Sequence, residues 1–317
     1  MSTTFTTDTT RIAPQARLGH DVSAANNLTE ALNLADLNWQ VREEPADGLS
    51  IFTDDELITT SIPDRKLLLR SDNLLTLGVV GNRYQPVSNA DAFGLADAAH
   101  QLGARFAHAG ELDYGRKTYM TMTIPEADVL VGGKDLVSFG LTLRTDHSGS
   151  GSITGSVDGT RLVCTNGMRG RLTSPQSWTI RHTATADQRL EMAEDALQHA
   201  FAYAKEFAAV AEEMISTPMT RREFYAFIDE IFPEPDEEAK RKHAIWAQRR
   251  QELVELFRLA ETQEEGRGTR WAGYNALVEW LDWFRPSRGG DEGRALRNFN
   301  TSADTGLGAR AFDMLAN

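Results

Sequence analysis

The sequence predicts an α+β fold: a twisted, mainly antiparallel sheet backed by a long helix and followed by a helical C-terminal region. Three observations carry this. Between 137 and 182 apolar and polar residues alternate and the chain turns repeatedly on glycine and serine. Val137, Phe139, Leu141 and Leu143 recur at every second position, the period of a half-buried strand. From 187 to 215 the period becomes helical, with Leu190, Leu197, Phe201, Ala204, Ala208, Ala211 and Ile215 on one stripe and Tyr203, Phe207, Val210 and Met214 beside it. From 220 to 285 capping signals and further apolar helix faces follow.

In chain order, residues 1–25 are rich in Thr, Ser and Ala without periodicity and read as a mobile arm. Leucines at 28, 32, 34 and 37 predict a short helix over 28–38, and an extended segment starts at Trp39. Pro45 to Gly48 reads as a turn. Segments 66–71 and 73–80 read as paired strands broken at Ser71-Asp72, with Gly81-Asn82 turning the chain again. A helix over 89–102 has Ser88 or Asn89 as N-cap, Asp91 in its first turn and Gly103 as its stop.

Strands at 105–109 and 117–124 flank a turn at Asp113-Tyr114-Gly115, with Tyr119, Thr121 and Thr123 on one face. Pro125 stops the second strand, and Gly132-Gly133 leads into the strand at 137–143. A turn-rich run at 147–151 and a short strand at 152–157 follow. Asp158-Gly159 then reads as a hairpin turn, because glycine tolerates the positive φ of a type I′ turn, and 161–165 returns as a further strand ending in Asn166-Gly167.

The long helix, apolar on two stripes, needs two covering surfaces: the sheet and either another helix or a second subunit. Thr220 with Glu223 forms a capping box before Phe224, Phe227, Ile228 and Ile231. Segment 233–238 reads as an acidic linker or a helix start, and 244–260 as a helix with a mixed, solvated charge pattern. A break at Gly266–Gly268 precedes the aromatic, amphipathic segment 270–284, and a short helix is expected near 309–315. The expected division is an arm and short helix (1–37), an α+β core (38–216), a helical region (217–286) and a tail (287–317).

Composition excludes several classes. With 41% hydrophobic residues over 317 positions, the chain has ample material for a core, yet no apolar run approaches the ~18–20 residues of a membrane span. The first twenty residues lack the apolar segment of a secretory signal, so a cytoplasmic protein is expected. The single cysteine, Cys164, rules out an internal disulfide and a multi-cysteine zinc site. A net charge of −13 argues against nucleic-acid binding by the surface as a whole, because that binding is driven by cations neutralising phosphates, but it leaves room for a local basic groove.

Segment 144–182 offers such a concentration: Arg144, Arg161, Arg169, Arg171 and Arg181 against Asp146 and Asp158, a local +3. With Arg116, Lys117, Tyr119, Trp178 and His182, these residues mix cations with flat rings, the combination that holds a single strand by its backbone and its bases. Loop arginines that merely protect a sheet edge are the plainer alternative.

Other chemistries are thinner. No phosphate-binding glycine loop, zinc-protease helix or nucleophile elbow is present. The glycines at 149, 151 and 155 lie in a strand pattern, not between a strand and a helix, so they do not make a dinucleotide site. Cys164 with His147 or His182 forms a nucleophile–base pair on paper, but Cys164 sits in an apolar strand, where cysteine is usually inert. Asp146-His147 with Asp158 is a conceivable metal set. Trp271, Tyr274, Trp280 and Trp283 read as core or subunit contacts before base-stacking residues.

Several segments occur together in a recognisable order: 73–89, 109–117, Leu162 to Met168, Arg181-His182 and 268–282. Over 38–286 the chain resembles the phage/plasmid-like proteins of the domain-of-unknown-function family 932. The resemblance implies a protein of a mobile element and supplies no catalytic residues. A strand meander followed by a long helix is also the core layout of phage strand-annealing proteins, an analogy at the level of the fold.

The expected function is single-stranded DNA binding, with or without annealing, in phage or plasmid recombination and replication. No cofactor or metal is expected, because annealing needs only positioned backbones, and the expected partners are single-stranded DNA, further copies of the chain and phage or host recombination proteins. The alternative is a nonenzymatic protein that binds a host or phage factor.

Overall fold

The computed structural model describes residues 19–52, 56–161, 186–236, 238–290 and 306–316, together with 166–168, 172, 177–179 and 293. The chain is α+β, with two antiparallel sheets, one long helix and a helical C-terminal region.

The small sheet comes from the N-terminal part of the chain. Strands β2 (Val41–Phe52), β3 (Leu57–Arg70) and β4 (Thr76–Gly81) pair in sequence order. The break at Ser71-Asp72 is the β3–β4 turn, as the sequence indicates. The turn expected at Pro45 to Gly48 is instead part of β2, where the register slips on either side of Asp47. Trp39, Leu68, Leu77 and Val80 make a core separate from the main one. Arg70 ties this sheet to the large one: its Nη1 donates to both Glu111 carboxylate oxygens at 2.6 and 2.8 Å, and its guanidinium lies 4.6 Å above the Trp39 ring.

The large sheet runs β1 (His20–Asp21), β5 (Arg105–Leu112), β6 (Lys117–Thr123), β8 (Asp135–Asp146), β9 (Thr154–Arg161) and β10 (Asn166–Met168). Strand β7 (Val129–Val131) also pairs with β8, and β11 (Ser177–Thr179) with β9. Part of the expected N-terminal arm is thus tied down, since His20 pairs with Ala109. The β5–β6 turn holds Asp113, Tyr114 and Gly115 all at positive φ.

Strand β9 runs straight through Asp158-Gly159, so the expected hairpin there does not form. The neighbouring strand supplies partners instead: Asp158 faces Gly140 and Gly159 faces Phe139. A ladder with the long β8 outweighs the local turn preference. Asn166 to Met168 pair antiparallel with Gly159 to Arg161.

Helices α1 (Leu28–Leu34) and α3 (Gly94–Gln101) pack near β5, and α2 (Asn89–Ala92) near β8; the single helix expected over 89–102 is divided at the fully buried Phe93. Its cap is Ser88, whose hydroxyl accepts from the Asp91 amide.

The long helix α4 (Ala186–Ser216) lies on the inner sheet face, with Tyr203 and Phe207 rings 5.9 and 5.4 Å from Phe139. On its other side Phe207 meets Trp271 of α7 (Arg270–Glu279) at 6.0 Å and Phe312 of α8 (Leu307–Ala316) at 5.3 Å. The second apolar stripe is therefore covered within the chain at Phe207, while Phe201 of the first stripe stays partly exposed. Truncating so enclosed a ring as Phe207 to alanine costs about 3–5 kcal/mol.

Between α4 and α7 stand α5 (Arg221–Ile231), opened by the Thr220/Glu223 capping box, and α6 (Lys240–Leu259). A π-helical turn at Trp280–Phe284 ends the aromatic segment.

Candidate nucleic-acid interface

Strand register decides what the sheet cations can do. Val137, Phe139, Leu141 and Leu143 point inward, so their alternates on β8 point outward. Arg144 is outward, and Tyr119 lies directly opposite it on β6, with Lys117 opposite Asp146. Arg161 pairs with Val137 and Trp178 with Gly155, which itself pairs with Leu143, so both belong to the inner face. The residues expected to form one patch are divided between two faces.

On the outer face the charges are already engaged. Arg144 Nη1 donates to Ser156 Oγ at 2.5 Å, and its Nη2 lies 3.5 Å from Asp158. Arg116 lies 3.5 Å from Asp113. Tyr119 is fully buried beneath the chain at Gly19 and Gly110, where an added Cβ would come within 2.6 and 3.0 Å of its hydroxyl. Burial pushes its phenol pKa well up. Tyr119 is a packing residue rather than a base-stacking platform.

Arg161 is fully buried as well. Its Nε lies 2.8 and 2.6 Å from the two Asp135 oxygens, Nη1 lies 3.4 Å from Gln263 Oε1, and Trp271 Nε1 donates to Asp135 Oδ2 at 2.7 Å. A charge taken out of water survives only when paired and hydrogen-bonded, and this cluster pins β8 and β9 to the helical region. Arg161 is structural and cannot reach a nucleic acid from this position. Trp178 is half-buried, packed on Gly155 and 6.3 Å from the His199 ring. Arg169, Arg171, Arg181, His182 and Cys164 lie outside the described residues.

The conceivable metal set does not assemble. His147 is buried with Nε2 2.8 Å from Asn89 Oδ1. That oxygen also accepts from Thr118 Oγ1, while Asn89 Nδ2 donates to the Leu37 carbonyl. Nε2 therefore carries the proton. Burial lowers the His147 pKa to about 4, so the ring is neutral at pH 7. Asp158 faces outward instead. Among the described residues no group of three His, Cys, Asp or Glu is placed to hold a metal.

The helical region has what the sheet lacks. A groove of about 420 Å³ between α5 and α6 is lined by Arg221, Tyr225, Trp246, Arg250, Arg258 and Leu259, among others. The Arg250 guanidinium sits 3.9 Å from the Tyr225 ring centre and 5.3 Å from that of Trp246, held by two 2.9 Å hydrogen bonds to Asp229. Arg221 approaches the same tyrosine ring at 5.2 Å and donates to its hydroxyl. Trp246 Nε1 donates to the Phe232 carbonyl, which fixes the indole.

At the start of α6, Lys240, Arg241 and Lys242 are exposed, and none joins an ion pair among the described residues. They also oppose the helix dipole, whose positive end favours acidic residues, and α6 has none in its first turn. Over its length α6 carries six Lys and Arg against two Glu.

The sequence reading starts this helix at 244, which cuts the three cations away from the arginines and tryptophan that follow. Placing the start at 240 gathers them onto one element, and the run of cations before Trp246 is the signal that reveals it.

No curated protein and no solved structure matches the chain. One family model does, that of the domain of unknown function DUF932, over residues 76–302. The chain belongs to the DUF932 family. The match takes in the large sheet from β5 onward, α4 and the α5–α6 groove, and it begins at Thr76, after β2 and β3. Among the described residues no helix is long and apolar enough to cross a membrane.

Proposed function

We propose that this DUF932 protein binds single-stranded nucleic acid along α6, with the groove between α5 and α6 as its base-contacting surface. The observation that carries the reading is the cation run Lys240, Arg241 and Lys242. Three exposed charges sit where the helix dipole disfavours each by about 0.3–1 kcal/mol. Exposed cations clustered at the head of one helix favour phosphates as ligands.

Further along the helix Trp246, Tyr225 and the stacked Arg250 offer flat faces for unpaired bases, and Arg221 and Arg258 continue the positive lining. At 1.5 Å per residue, the path from Lys240 to Arg258 is about 27 Å long. Half-exposed rings in a groove suit splayed bases better than a stacked duplex. The large sheet then acts as scaffold, and a role in phage or plasmid recombination and replication rests on the family's mobile-element character.

A second reading, a protein-binding surface, is favoured by Ile245 and Leu259, which are 50% and 64% exposed on the same helix. Titration of a labelled oligo(dT) and of a duplex of equal length, at two salt concentrations, separates the two. The nucleic-acid reading requires tighter, salt-sensitive binding of the single strand; absence of binding at low salt leaves the protein-binding reading.

A further inference from the structure

Arg250 lines the groove between α5 and α6, whereas Arg249, about 100° away around the helix, packs on a different flank. Its guanidinium lies 4.4 Å from the Phe232 ring centre and 5.5 Å from that of Trp280, and these two rings meet edge to face at 5.7 Å. Rings cover the flat face of a guanidinium and leave its N–H groups, which lie in its plane, to be met by acceptors. Among the described residues Arg249 meets none. It joins no hydrogen bond or ion pair, and its Nε is enclosed without an acceptor.

A second cation reaches the same place through a special backbone turn. Trp280–Phe284 is a π-helical turn packed against α6, and the Arg285 amide closes it on the Trp280 carbonyl at 2.7 Å. An α-helix would close Arg285 on Leu281 instead, so the wider turn changes the direction in which Arg285 projects. Such turns recur at functional sites. Arg285 is half-buried and joins no ion pair among the described residues. Burial first, and then the Arg285 charge, depress the Arg249 pKa, and the Arg285 effect exceeds the opposing pull of Glu252. The Glu252 carboxylate also accepts from Trp280 Nε1 at 2.8 Å. Arginine stays charged under such pressure, so the two cations repel each other with no anion to balance them.

We propose that Arg249 and Arg285 hold a phosphate dianion beside the Phe232–Trp280 pair. Two guanidinium groups match a double charge, which a carboxylate does not carry, and their N–H forks fit phosphate oxygens. The site is separate from the α5–α6 groove and does not depend on the nucleic-acid reading. The phosphoryl group belongs either to a small molecule or to the end of a strand, and the experiment separates these sources.

The test is calorimetric titration of the full chain with inorganic phosphate at pH 8 and constant ionic strength. Saturable binding is expected, with a thermal midpoint that rises with phosphate concentration. Arg285→Gln should weaken binding at least about tenfold, the loss of one charge-assisted contact. Lys205→Gln, which removes an exposed charge from α4, should leave binding unchanged. Arg249→Gln should weaken binding as well; because it also removes packing on two rings, Arg285→Gln decides if that variant misfolds. Oligo(dT) with a 5′-phosphate is then compared with its 5′-hydroxyl form. A tighter 5′-phosphate form that loses its advantage in Arg285→Gln assigns the site to strand ends. Equal binding of the two forms, or binding of neither, assigns it to a small molecule. A wild type that takes up no phosphate, or an Arg285→Gln variant that binds it as tightly as the wild type, would overturn the proposal.

Discussion

Arg161 and Asp135 face each other from adjacent regions of β9 and β8 with no exposed surface on either side chain, Nε 2.6 Å from Oδ2. Trp271 donates to the same carboxylate from α7, so one buried anion joins the sheet to the helical region. Removing one partner of such a pair strands the other charge. Arg161→Ala is expected to destabilise the protein by about 3–5 kcal/mol. Replacing both with apolar residues, Arg161→Met/Asp135→Leu, should cost much less than the sum of the single changes. Chemical denaturation of the three variants checks this, and additive losses would contradict it.

His147 makes stability depend on pH in a defined window. Its folded pKa of about 4 lies below the ordinary histidine value of 6.5, because burial disfavours the cation. The unfolded chain therefore binds the extra proton first. The contribution is fully present above about pH 6.5 and is lost as pH falls toward 4. Between pH 7 and 5 the loss is about 2 kcal/mol. His147→Gln, which keeps a donor for Asn89, should flatten this part of the stability profile. A variant with the wild-type slope between pH 7 and 5 would exclude His147 as its source.

Gly140 lies at the β6–β8 seam opposite Thr123, and a Cβ there would fall 2.0 Å from the Met122 carbonyl oxygen. No rotamer change relieves a clash with backbone. Gly140→Ala is expected to cost about 1–3 kcal/mol, the range for overpacking a tight interior. A thermal midpoint equal to the wild type would show that the strands separate more freely than this ladder implies.

Local rules found much of this fold in the sequence. Asp113-Tyr114-Gly115 marks a true hairpin, and Thr220 with Glu223 a true helix start, because each motif satisfies backbone groups without help from distant residues. Asp158-Gly159 misleads because its preference is local while the β8 partner is not. The site was less legible for a related reason: a cation's use depends on which face its register selects. Val157 is buried, and Arg161, four residues on in the same strand, shares its face, so the inward position of Arg161 was available once β9 was known to be continuous. The α6 cations were hidden differently, by an acidic linker that drew the helix boundary four residues late.

The salt dependence of single-strand binding by Lys240→Ala/Arg241→Ala/Lys242→Ala tests the central claim most directly. If these cations contact phosphates, affinity for oligo(dT) falls and the log–log slope against salt flattens by about 0.7 per lost contact, about 2 for all three. Arg169→Ala/Arg171→Ala, measured beside it, reports on the basic segment between β10 and β11. The account predicts the larger loss of affinity and of slope for the α6 variant. An α6 variant that binds with wild-type affinity and wild-type slope would contradict it.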